Sequence, residues 1–401
     1  MRFSSRLLLT LSISLSVFSA CSSGPKVLPD SQQGVPRGMG EGGATVPVRE
    51  LVRQGLSSYL TDSFHDTRAV DVLVATNRAA VPGAEGSAHF RCSDAGFGVL
   101  PAPQMSWGSC RVNLPRNRAV GAIESTSNPR ADTHRYLRVL QSQGIASEEA
   151  WLSEVRKRSS RGLLVFIHGF NVKFEEAVLR AAQIAYDLKF QGGVVLLTWP
   201  AGPASSGFLE STRLSKTYET NRTSAQASVE VFASSFKRIL ELGVPVYVTV
   251  HSMGHQVALP ALAKALPAGL GEGAARPIEE LFLNAPDFPV EGFQAILPEL
   301  RKLAKRITVY CSYQDNAIAA SEVVNQNRRL GACERFDGVD VINVGEVDSP
   351  ALGIGGLGHG YYASRAILTD IFQAILGVEA DRRLFIRASE PNTPENFYLR
   401  P

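Results

Sequence analysis

The rhythm of hydrophobic and polar positions changes near residue 160. From Leu163 onward, short continuous apolar runs alternate with stretches of helical spacing. Leu163 to Ile167, Val194 to Thr198, Val244 to Val250, Leu281 to Asn284, Ile307 to Ser312 and Val339 to Val347 predict buried strands. Between and after them, Phe174 to Leu188, Ser224 to Leu242, Met253 to Leu266, Val290 to Leu303, Ala317 to Asn325 and Tyr361 to Leu376 predict helices. Continuous apolar strands alternating with helices form a mostly parallel sheet covered on both faces. The expected fold class is therefore α/β, a three-layer sandwich.

Ahead of this core the pattern is different. Val70 to Arg78 reads as a strand and a polar turn, and residues 79 to 130 hold many Gly, Pro and Asn. Strand-like pieces occur near Phe97 to Leu100 and Ser109 to Leu114, which gives a β-rich N-terminal extension packed on the core. Ser147 to Lys157 has helical spacing, and residues 51 to 60 form a candidate short helix. Residues 22 to about 50 are rich in Ser, Gly and Pro and read as a flexible tether. The tail after Gly377, charged and with three Pro, reads as loop. The expected division is a leader at 1–20, a lipidated Cys and tether at 21–50, the extension at 51–160, the core at 161–376 and the tail at 377–401.

The N-terminus changes the picture of location. Arg2 and Arg6, an apolar run from Leu7 to Phe18, and Ser19-Ala20-Cys21 make a secretory leader. A Cys after two small residues resembles a bacterial lipobox, with Cys21 as the lipidation site. The expected location is the bacterial cell envelope. There the protein would be a lipoprotein anchored on the periplasmic face, of the outer membrane because Ser22 offers no retention signal for the inner one.

Without the leader, Lys+Arg falls from 41 to 39 against 38 acids, and this near-neutral chain has no field to draw in nucleic acid. Four Cys then remain: Cys92, Cys110, Cys311 and Cys333. Three connectivities are open. Proximity favours Cys92–Cys110 and Cys311–Cys333, and buried free thiols, Cys311 foremost in its strand-like run, are the alternative.

The chemistry centres on Val250-His251-Ser252-Met253-Gly254, where a predicted strand meets a helix. A nucleophilic Ser needs a sharp turn there, and small neighbours let strand and helix approach. Gly254 is small; Val250 is not, and a β-branched residue is expected to crowd the turn. The Met253 N–H lies where an oxyanion could bind, and Phe170, after His168-Gly169, is the second candidate donor. The Ser needs a His base held by a carboxylate. Only His255 and His359 follow Ser252. His255 is too close along the helix, so His359 is the base. Asp315 leads as the acid and Asp287 is the alternative acid, with helix capping as its plain role. His168, Trp199 and His251 are candidates for lining the site.

Taken in order, Thr76-Asn-Arg78, Ile167-His-Gly-Phe-Asn171, Leu197-Thr-Trp-Pro200, His251-Ser-Met-Gly254, Ala285-Pro-Asp287, Ser312-Tyr-Gln-Asp315 and Gly358-His359 resemble a bacterial α/β-hydrolase family of unknown function. It lies within the esterase/lipase superfamily. The resemblance runs from about residue 68 to 375. It implies the α/β-hydrolase fold and a Ser252–Asp315–His359 triad and supports the oxyanion donors; it brings no defined substrate, though the superfamily leans toward esters.

Other motifs are set aside. Gly353-x-Gly355-x-x-Gly358 fits a dinucleotide fingerprint but falls at the last strand, with no βαβ unit to complete. His251 and His255 lack an HExxH, and read as a packing His and a helix-surface His. The segment from Trp199 to Arg222 reads equally as a cap or a surface loop. The expected activity is serine ester hydrolysis on a small-molecule or lipid-like ester, with no metal or cofactor. The rival is a non-catalytic envelope lipoprotein that uses the fold as a binding or scaffolding module.

Overall fold

The computed structural model describes residues 68–401, apart from 116–117, 127, 129–131, 204–209, 267–275 and 349–358. The leader, Cys21, the tether, the 51–60 helix and the glycines at 353, 355 and 358 lie outside the described residues.

Among the described residues, eleven strands form one sheet: β1 (Ala69–Ala80), β2 (Phe97–Asn113), β3 (Arg138–Ile145), β4 (Leu163–Ile167), β5 (Gly193–Thr198), β6 (Val246–His251), β7 (Ile278–Asn284), β8 (Ala304–Cys311), β9 (Asp340–Asn343), β10 (Ile386–Ala388) and β11 (Phe397–Leu399). Their order is β10-β11-β9-β8-β7-β6-β4-β5-β1-β2-β3. From β11 through β1 every neighbouring pair is parallel. The outer pairs β1–β2, β2–β3 and β10–β11 are antiparallel.

Seven α-helices accompany the sheet among the described residues: α1 (Glu148–Arg158), α2 (Phe174–Asp187), α3 (Glu210–Leu240), α4 (His255–Lys264), α5 (Val290–Leu303), α6 (Asn316–Asn325) and α7 (Arg365–Ile375). In β4, Leu163, Val165 and Ile167 join the core beneath α1, α3, α4 and α5, while Leu164 and Phe166 join the core beneath α2 and α7. Two apolar faces on one strand are why the run is continuous. Ser147 caps α1 by accepting from the Ala150 N–H at 3.2 Å, and Glu148 and Glu149 complement the helix dipole.

Four expectations at the element level are corrected. The extension does more than pack on the core: β1 pairs with β5, so β1 to β3 continue the main sheet. Its two short pieces are one 17-residue strand, β2, beside β3, which the sequence pattern did not signal. Helix α3 starts at Glu210, not Ser224, so most of the expected cap or loop is helix. Its stretch from Thr217 to Ser224 carries buried polar residues, which leave no apolar period to read. Asn221, for example, donates to the Gly202 carbonyl at 2.9 Å and accepts from the Asn171 N–H at 3.0 Å. The tail is not loop either, because β10 and β11 complete one sheet edge.

Cys92 is bonded to Cys110 and Cys311 to Cys333. The free-thiol reading of Cys311 is therefore overturned. Burial of Cys311 in its strand and pairing with Cys333 are compatible, since the 330–333 turn packs on the end of β8.

Candidate active site

Parallel strands deliver all their C-terminal ends to one edge, and that edge carries the site. At the end of β6 the chain turns sharply through Ser252, whose φ is 53°. A one-turn 3-10 helix, Ser252–Gly254, then leads into α4. A left-handed conformation is costly for a residue with a Cβ and persists only where packing enforces it. Here it is enforced by two close approaches. A Cβ at Gly254 would run into the His168 carbonyl, and one at Gly169 would come within 2.7 Å of the Ser252 Cβ. Val250 does not crowd the turn as expected. It is an interior β6 residue, buried in the core, paired with Ile167 and Leu283. The steric demand for small residues falls on Gly169 and Gly254 instead.

The structure brings Ser252, His359 and Asp315 into line. The His359 Nδ1 lies 2.6 Å from Asp315 Oδ2, and its Nε2 lies 2.6 Å from Ser252 Oγ. An ionised carboxylate only accepts, so the ring donates through Nδ1 and leaves Nε2 to accept from the serine hydroxyl. Asp315 is buried at the start of α6, and its Oδ1 accepts from the Ala317 and Ile318 N–H groups, each at 3.0 Å. One carboxylate oxygen thus caps a helix while the other holds the imidazole. His359 itself has φ 77°.

Asp287 does not reach His359. Its carboxylate accepts from Tyr218 Oη at 2.8 Å, Ser321 Oγ at 2.5 Å and Gln256 Nε2 at 3.1 Å, and it pairs with Arg329 at 3.2 Å. Its backbone N–H reaches the Ser252 carbonyl at 3.3 Å. Nor does it cap a helix: α5 begins at Val290 with Pro289 as its N-cap and no side-chain cap hydrogen bond. Asp287 is instead the centre of a buried polar cluster beside the turn at Ser252. A groove of about 510 Å³, lined by Arg222, Gln256, Phe288, Asn325 and Arg329 among others, adjoins this cluster, but none of Ser252, His359 or Asp315 lines it.

His168 and Trp199, expected to line the site, are buried behind it. The rings stack with centroids 5.5 Å apart, and the Trp199 indole donates to the His168 carbonyl at 2.9 Å. His168 donates through Nδ1 to the Gly169 carbonyl at 3.0 Å and accepts from Thr198 Oγ1 at 2.7 Å. Burial, with Arg78 nearby, lowers its pKa to about 3, so the ring is neutral. His255 is also corrected. It is fully buried, not on the helix surface, and donates through Nδ1 to the Ser252 carbonyl at 2.6 Å. His251 is half-buried and stacks on Tyr362 with centroids 3.8 Å apart.

Phe170 follows Gly169 in the turn against Ser252, and its ring lies 5.8 Å from that of Tyr218. Met253 is the second residue of the 3-10 turn, at the head of α4.

Arg78 is a residue whose work the sequence did not disclose. It is buried at the end of β1 and donates to the carbonyls of Ala201 at 2.6 Å and Val172 at 2.8 Å, and to Thr198 Oγ1 at 3.2 Å. It thereby ties the loops after β4 and β5 together, with burial lowering its pKa to about 9. Asp348 was missed too: it accepts from Ser312 Oγ at 2.8 Å and from the His359 N–H at 3.4 Å. The Thr76-Asn-Arg78 motif marks Arg78 without its partners and no motif marks Asp348, since each acts on groups distant in sequence.

The comparisons add one finding. Residues 145–378 match the family described as alpha/beta hydrolase of unknown function (DUF900). The match starts well after residue 68, so Thr76-Asn77-Arg78 lies outside it. No curated protein and no solved structure matches the chain. The matched segment is more than half of the chain and spans β4 to α7, the strands and helices that carry Ser252, Asp315 and His359; the chain belongs to this family of α/β hydrolases of unknown function.

Proposed function

We propose that this protein is a serine hydrolase that cleaves carboxylic esters through an acyl-enzyme on Ser252. The observation that carries the reading is the hydrogen-bonded row Ser252–His359–Asp315, with both links at 2.6 Å. In the reaction, Ser252 Oγ attacks the ester carbonyl as its proton passes to His359 Nε2. Asp315 orients the ring and stabilises the imidazolium. The oxyanion is held by the Phe170 and Met253 N–H groups, whose positions beside and after Ser252 suit that role. His359 returns the proton to the departing alkoxide, and water then repeats the sequence on the acyl-enzyme. An ester is preferred because the motifs lean toward the esterase/lipase superfamily and an alkoxide needs less help in leaving than an amine. The leader-like N-terminus and Cys21 support a location on the envelope, anchored by lipid.

The test is labelling of the full chain with a fluorophosphonate probe beside Ser252→Ala and His359→Ala. Labelling is expected in the wild type, to vanish in Ser252→Ala and to fall by several orders of magnitude in His359→Ala. A folded wild-type protein that takes no label would defeat the reading and favour the scaffolding role.

A further inference from the structure

His359 carries the most demanding task in the proposed reaction, yet it sits on a loop, with a left-handed φ of 77°. Something must hold its peptide there, because a non-glycine residue relaxes out of that region when unsupported. Two side chains touch the peptide. Asp348 Oδ1 accepts from the His359 N–H at 3.4 Å, which is the longer contact. His251 Nε2 lies 3.1 Å from the His359 carbonyl. A carbonyl only accepts, so His251 is the Nε2–H tautomer, and its Nδ1 has no partner among the described residues.

The His251 ring is itself fixed. It stacks on Tyr362 with centroids 3.8 Å apart and 23° between planes, and a Cβ at Gly169 would come within 2.9 Å of its Nδ1. It also immediately precedes Ser252 in sequence. One residue on the end of β6 therefore grips the loop that carries the base, while the next residue is the proposed nucleophile. We infer that His251 is a positioning residue that sets the Ser252–His359 separation, by donating its Nε2–H to the His359 carbonyl. This rests on the serine hydrolase reading of the same site. The chemical logic is that any drift of the loop moves Nε2 of His359 away from Oγ, and a misplacement of about 1 Å can cost roughly 10²-fold in rate.

The experiment compares the rate of fluorophosphonate labelling in the full-length wild type, His251→Phe and His251→Gln. Phe keeps the ring on Tyr362 but cannot donate. Gln gives up the ring but has an amide N–H that can reach the carbonyl. The expected result is a loss of about 10- to 100-fold in His251→Phe, with thermal stability little changed, and recovery of most of the rate in His251→Gln. A His251→Phe protein that labels at the wild-type rate overturns the inference. So does a His251→Gln protein as slow as His251→Phe, since packing and not the donor would then matter. The imidazole nitrogen–proton NMR spectrum of the wild type needs no variant to fold: an Nε2–H tautomer for His251 is expected, and an Nδ1–H tautomer overturns the contact. If the wild type fails to label at all, the hydrolase reading falls while this tautomer measurement still decides the contact.

Discussion

Ser252 and His359 both occupy left-handed backbone, and each is held there by contacts from other parts of the chain. Between them the proton path is set by which atoms can donate. Asp315 has one oxygen committed to two amide donors and the other on the His359 ring, and Tyr361 also hydrogen-bonds the carboxylate. Asp315→Asn is expected to lower turnover by about 10⁴-fold without unfolding the protein, because an amide there can favour the wrong imidazole tautomer. Hydrolysis of a chromogenic ester, followed beside the far-ultraviolet circular dichroism spectrum, checks both halves of that statement. His255 offers a second residue-scale test. Burial lowers its pKa from 6.5 to about 3, so the unfolded chain takes up a proton that the folded one refuses. Its folding advantage is whole above pH 6.5 and is lost as the pH falls toward 3. His255→Gln keeps a donor for the Ser252 carbonyl but cannot titrate. The slope of unfolding free energy against pH in that window should therefore drop by about 1.4 kcal/mol per pH unit, as read from urea midpoints at a series of pH values.

At the element scale the polar cluster on Asp287 joins pieces that no apolar stripe joins. Tyr218 comes from α3, Gln256 from α4, Ser321 and Asn325 from α6, and Arg329 from the segment after it. Asp287 and Arg329 are both buried, so removing one charge strands the other. Asp287→Asn should cost about 3–5 kcal/mol of stability, while the folded fraction still labels at close to the wild-type rate. The contrast with Asp315→Asn is the useful part: in the proposed reaction one acid serves the frame and the other the chemistry. Equal loss of labelling in both would reverse that assignment. The same cluster explains why α3 was read too short. Its inward N-terminal face is made of Tyr218, Asn221 and Arg222, which hydrogen-bond where apolar residues would pack.

For the whole molecule, the C-terminal segment matters more than its composition suggests. Arg383 is buried and pairs with Asp370 at 3.0 Å, Asp340 at 3.6 Å and Glu280 at 3.8 Å, tying the segment to α7, β9 and β7. Burial still raises the Glu280 pKa to about 7, which measures how enclosed this network is. Arg383→Met should cost about 3–5 kcal/mol by leaving buried carboxylates under-compensated. A chain ending at Gly377 also loses the β10–β11 edge and is expected to aggregate on expression. Urea unfolding of the first and soluble yield of the second test this, and a soluble, cooperatively folding chain cut at Gly377 would show the tail to be dispensable.

What the sequence determined by itself is the alternation of buried strands and helices from Leu163 on, and with it the sheet edge at which Ser252, Asp315 and His359 had to emerge. Those signals are local: a run of apolar residues, a period, a residue type after a strand. The tertiary structure alone decided which carboxylate faces His359, since Asp287 and Asp315 both follow strands and differ only in what their neighbours leave free. It also decided the company kept by buried polar groups. Arg78 donates to and Arg383 pairs with groups more than 100 residues away, His168 accepts from Thr198 30 residues away and His255 donates on a neighbouring turn, and hydropathy records that a position is polar without recording its partner. The edge strands β3, β10 and β11 were illegible for a related reason: short or largely exposed, they pair through backbone groups that every residue carries.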